Sequence, residues 1–130
     1  DHISMIQHEL LPITIDIYIL KSKIFYELGF LDTAKSVSDS LRHFIKNNPV
    51  LSDILKNSLR SFYNFFNALL RLNENYNEIK LKKVLSEIEG INGIWNKLWL
   101  IEKTNELLHT SGKGRPDLKM KPGVKTSIRN

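Results

Sequence analysis

The chain has 130 residues, no cysteine, and 42% apolar against 25% charged side chains. That is the composition of a globular protein, and it excludes disulfides, thiolate metal sites, iron–sulfur clusters and cysteine nucleophiles. The net charge of +5 is segregated. Residues 1–109 hold 13 cations and 13 carboxylates, whereas Lys113, Arg115, Lys119, Lys121, Lys125 and Arg129 face Asp117 alone.

In chain order, the N-terminal Asp-His-Ile-Ser has neither an initiator Met nor the basic start of a signal peptide, so the expectation is a segment of a longer polypeptide. No apolar run reaches the roughly 18–20 residues of a membrane span. The longest, residues 10–20, contains Pro12 and Asp16. The lack of cysteine fits a reducing compartment, and a cytoplasmic location is expected. A first helix is predicted over residues 13–28. Ile13, Ile17, Leu20, Ile24 and Leu28 share one face, Pro12 suits the first turn and Gly29 the left-handed position after the last. Ile13 to Ile19 also alternates as a strand would, but no second strand exists to pair with it.

A second helix is predicted over 33–47, capped by Asp32, with Ala34, Val37, Leu41, Phe44 and Ile45 on its apolar face. Asn47-Asn48-Pro49 ends it. The third follows Ser52, another good cap, and runs to residue 72. Leu55, Leu59, Phe62, Phe66 and Leu69 form its stripe, widened by Phe65 and Leu70, which marks it as the most buried helix. After the polar residues 73–77, a fourth helix over 78–89 carries Leu81, Val84, Leu85 and Ile88, and Gly90 follows. A fifth over 94–109 carries Ile94, Leu98, Ile101 and Leu108, with Trp95 and Trp99 beside them. From Thr110 the pattern stops. Residues 110–130 hold three of the six Gly and two of the four Pro, and are expected to be disordered.

Tyr18, Ser22, Phe25, Gly29, Ala34 and Pro49 give the first hairpin a resemblance to a tetratricopeptide repeat. Ser22 and Ala34 stand where that family places the small residues that let its two helices approach. The run from Gly29 to Ala34 is similar to its interhelix turn. Lys21, Ser38 and Leu41 depart from the pattern, and the match covers about 34 residues, one repeat length. The resemblance implies a stack of helical hairpins that binds peptides on the inner face of each first helix. Carried over, the partner-binding residues are Asp16, Ile19, Lys23, Tyr26 and Glu27. Packing of Ile19 and Tyr26 against a neighbouring helix is the competing role for that pair.

Catalytic constellations are not found. His2, His8, His43 and His109 lack zinc-helix spacing, and no Gly-x-Ser-x-Gly occurs. Asp39 and His43 stand one turn apart, as a surface pair would, and Ser36, Ser38 and Ser40 read as polar helix surface. Glu102 and Glu106, like charges one turn apart, are expected to face solvent. Lys113-Gly114-Arg115-Pro116 resembles the core of an AT-hook, whose Arg enters the minor groove of A·T-rich DNA, although Asp117 follows.

The expected protein is therefore all-α: antiparallel helical hairpins, about five helices in a tetratricopeptide-like stack over 1–109, then a flexible basic tail over 110–130. The expected function is a non-enzymatic protein-interaction module or scaffold that binds protein or peptide in a helical groove. No metal, cofactor or membrane is expected to be involved. The alternative is nucleic-acid association through Lys113, Arg115, Lys119, Lys121 and Lys125.

Overall fold

The computed structural model describes residues 2–112, with side chains from Leu10 to Thr110. The described residues form five α-helices and no strand: α1 (His2–Glu27), α2 (Leu31–Lys46), α3 (Asp53–Glu74), α4 (Glu78–Gly90) and α5 (Lys97–Gly112). They divide into two units, one ending at Val50 and one beginning at Leu51, within the span expected to be a single domain.

In the first unit α1 packs against α2. Three small side chains, Ser22 on α1 and Ala34 and Ser38 on α2, are fully buried there, where a larger residue would hold the helices apart. Ile15, Ile19, Leu41 and Ile45 complete the core, and the Tyr18 and Phe44 rings meet at 5.5 Å. Ser22 and Ser38 satisfy their hydroxyls within their own helices, donating to the carbonyls of Tyr18 and Lys35 at 2.9 Å.

The turn between these helices is a Schellman motif. Gly29 adopts φ +81°, its N–H donates to the Tyr26 carbonyl at 3.0 Å, and the Phe30 N–H reaches back to Phe25 at 2.9 Å. The Phe25 and Phe30 rings, 6.4 Å apart, supply the apolar contact that accompanies this motif. The sequence expectation for Gly29 holds. The expected cap of α2 does not: α2 begins at Leu31, Phe30 takes the N-cap without a side-chain bond, and Asp32 lies inside the first turn. There its charge complements the helix dipole instead of capping an N–H. The start of α1 also differs from expectation. The helix runs from His2 and Pro12 lies in its interior, a position that forfeits one backbone hydrogen bond.

In the second unit α3 packs against α4 and α5, and α4 against α5. Ser52 caps α3, accepting from the Leu55 N–H at 3.2 Å, and Asn77 caps α4, accepting from Lys80 at 2.9 Å. Leu59, Phe62, Phe66 and Leu69 are buried as the α3 stripe predicts, with Leu70 and Leu72 beside them. Phe62 stacks on Phe66 at 5.4 Å, and Phe66 meets Trp99 of α5 at 6.0 Å. Leu81 and Ile88 of α4 join this core. Asn96, at φ +56°, lies just before α5, and the Trp95 N–H donates to the Ser58 carbonyl of α3 at 3.4 Å. Lys97 then closes the α4–α5 connection by donating to the carbonyls of Ile91 at 2.8 Å and Glu89 at 3.3 Å.

α5 begins at Lys97 rather than at residue 94, and although Ile94 before it is buried as expected, the buried face of the helix is not the predicted one. Leu98 is 82% exposed, and Leu100, Lys103, Thr104 and Leu107 are buried instead. Thr104 hides its hydroxyl by donating to the Leu100 carbonyl at 2.7 Å. Lys103 buries its stem and places its ammonium 3.2 Å from Glu106, 3.4 Å from Glu102 and 6.0 Å from the Trp99 ring centre. Glu102 and Glu106 thus flank a shared cation as well as facing solvent. The helix continues to Gly112, two residues past Thr110, where the apolar pattern stops.

Candidate interaction surface

The first helix is apolar on two opposite sides. At 100° per residue, Ile15, Ile19 and Ser22 project together, and this side is buried against α2. Leu10, Ile13, Ile17, Leu20, Ile24 and Leu28 project the other way, and every one of them is between 44% and 59% exposed. Five of these six are the residues whose spacing marks a core face, so that expectation is corrected: the regular stripe points outward and the interrupted one builds the core. The physical reason lies in α2. Its Ala34 and Ser38 admit close approach, and the matching side of α1 is the one that carries Ser22. The stripe, made of large aliphatic residues, has no small residue along it.

The predicted partner-binding residues fall in different places. Ile19 is 4% exposed and belongs to the core with α2, the competing role noted for it, so it presents nothing to a ligand. Asp16 and Glu27 are exposed, and Lys23 and Tyr26 are half-buried. Asp16, Lys23 and Glu27 form a polar flank along one edge of the exposed stripe, and Lys21 and Thr14 form the other. Thr14 donates its hydroxyl to the Leu10 carbonyl at 2.9 Å. The stripe itself was legible as a spacing, but not as a surface.

Among the described residues the remaining polar groups pair locally, along or between neighbouring turns of helix. The carboxylate of Asp39 meets Lys35 at 3.3 Å, Ser40 donates to the Ser36 carbonyl at 3.2 Å, and a ring nitrogen of His109 lies 2.7 Å from the Asn105 carbonyl. Glu78 pairs with Lys82 at 2.8 Å, and that hydrogen bond, with the charge of Glu78, raises the Lys82 pKa. A cleft of about 720 Å³ beside the α3–α4 turn sets Arg71, Lys80 and Lys83 against Glu74 and Glu87, a mixed lining with no paired acid and base. Among the described residues no group of three His, Asp or Glu is placed to hold a metal ion, and no helix is long and apolar enough to cross a membrane. Lys113, Arg115, Lys119, Lys121 and Lys125 lie outside the described residues.

No protein-family model, curated protein or solved structure matches the chain.

Proposed function

We propose that the protein is a non-enzymatic interaction module, a tetratricopeptide-like helical scaffold that docks on another protein through the outer face of α1. The observation that carries this is the unbroken row from Leu10 to Leu28, six large aliphatic side chains about half exposed on one helix. Isolated apolar residues on a surface are ordinary, but a contiguous patch with polar flanks marks a contact surface. Asp16, Lys23 and Glu27 along its edge supply charge for orientation rather than affinity.

The test compares proteins retained from an extract by the immobilised chain, by an Ile17→Lys/Leu20→Lys variant and by a chain ending at Gly112. Retention that survives the truncation and is lost in the double variant, with its helix content intact by circular dichroism, supports this function. Retention insensitive to the stripe overturns it.

The six cations between Lys113 and Arg129 favour a second function, association with nucleic acid. It predicts that binding to a duplex disappears in the chain that ends at Gly112.

A further inference from the structure

We infer that the occupant of the exposed α1 face is a second copy of the same chain, paired in parallel and in register; this rests on the docking role proposed above. The stripe is spaced as a heptad seam. Leu10, Ile13, Ile17, Leu20 and Ile24 follow one another by three, four, three and four residues. That alternation keeps a seam facing a partner helix from Leu10 to Ile24, and places Leu10, Ile17 and Ile24 at a and Ile13 and Leu20 at d, with Leu28 at the flanking e position. The buried residues Ile15, Ile19 and Ser22 then occupy f, c and f, the side away from the seam. Packing against α2 and pairing through the seam therefore use different faces of α1.

The flanking charges select the orientation. Asp16 takes a g position and Lys21 the e position that follows. In a parallel pair the g residue of one helix faces the next e residue of the other, so Asp16 of each copy meets Lys21 of the second copy, twice by symmetry. An antiparallel register that pairs Asp16 with Lys23 sets Leu10 against Glu27. One that stacks Leu10 on Leu20 sets Asp16 against Asp16. The parallel arrangement keeps five consecutive apolar layers, from Leu10 to Ile24, with opposite charges at the edge, and the seam ends at the next d position, where Glu27 meets its copy in the last turn of α1; the antiparallel register keeps four and sets Leu10 against Glu27 twice.

The area is sufficient. Six aliphatic side chains, each about half exposed, offer on the order of 500 Å² per copy, or about 1,000 Å² in a pair, at the lower bound for a specific interface. A dimer of micromolar rather than nanomolar affinity is the natural expectation at that size.

Sedimentation equilibrium of the full chain, from about 1 to 200 µM, reads the proposal directly across the micromolar range. The expected result is a monomer–dimer equilibrium whose dissociation constant rises at least about tenfold in Ile17→Lys and in Asp16→Lys. In the charge-exchanged variant Asp16→Lys/Lys21→Asp it returns towards the original value. The chain has no cysteine, so Ile17→Cys gives an unambiguous second readout. A seam residue at a faces its own copy and should form a disulfide under mild oxidation, whereas Ile54→Cys, 85% exposed on α3, should not. A monomer at every concentration, or a dimer indifferent to Ile17→Lys, overturns the inference. If the wild-type chain is monomeric but the stripe variant still loses the retained protein, docking on a different partner stands and self-pairing falls. If retention is also unaffected, both fall.

Discussion

Gly29 is held in a left-handed conformation with open space where a β-carbon would lie, since no heavy atom comes within 4 Å of that position. The cost of a side chain there is therefore conformational rather than steric. Gly29→Ala should lower unfolding stability by about 1 kcal/mol, and Gly29→Asn by less, because Asn tolerates this region better. Urea titration followed by circular dichroism reads both. Lys103 presents the opposite problem, a charge whose stem is buried while its two carboxylates remain mostly in water, Glu102 at 60% and Glu106 at 55% exposure. The carboxylates are screened by water, which weakens those pairs although the lysine itself is buried. The stem packing is what the fold uses, so Lys103→Met should fall within about 1 kcal/mol of wild type, while Lys103→Ala should lose about 1–2 kcal/mol. A larger loss in Lys103→Met would mean that the ion pairs, not the methylenes, hold this part of α5.

At the scale of the helix, the two faces of α1 give a direct contrast between neighbours of the same type. Ile19 is buried and Ile17 is 48% exposed, two residues along one helix. Ile19→Ala should destabilise the first unit by about 2–4 kcal/mol, and Ile17→Ala by less than about 0.5 kcal/mol when measured dilute enough for a monomer. Thermal denaturation at low concentration distinguishes them, and equal effects would place Ile17 in a core. The same pair shows what periodicity tells and what it leaves open. A three–four spacing identifies an apolar face, but a helix with two such faces needs a neighbour to say which is inside, and here the small residues Ser22, Ala34 and Ser38 decide it. In α3 the question does not arise: one stripe dominates, and Leu59, Phe62, Phe66 and Leu69 were legible at once. In α5 the inward face includes Lys103 and Thr104, polar residues that hydropathy assigns to solvent, so Leu98 took their place in the expected core. The cap was legible at Ser52, where a side chain makes the bond, whereas Asn77, which caps α4 in the same way, stands in the sequence only as part of a polar break. At α2 the turn is built by Gly29 and two phenylalanines, and Asp32 only resembles a cap.

At the scale of the whole chain the governing feature is the partition of charge. The residues up to Gly112 balance 13 cations against 13 carboxylates, and all the excess lies beyond them. Affinity for a duplex grows from cations meeting phosphates and displacing counterions, by about 0.9 in log–log slope for each contact. A chain ending at Gly112 has no net charge to offer and should not bind a 24-base-pair duplex at about 150 mM salt. The truncation belongs at Gly112 because α5 extends that far. Any binding by the full chain should weaken with salt with a slope no steeper than about −5, the limit set by six cations. Fluorescence anisotropy with A·T-rich and mixed duplexes measures both quantities. Equal affinity for the two would assign the effect to phosphate alone, and a preference for A·T would assign it to Arg115 in a narrow minor groove. Binding by the truncated chain would contradict this partition, because it would require a local concentration of cations on the helices themselves. Self-pairing through α1 should be unaffected by the truncation, since its seam and its charged edge lie within residues 10–28.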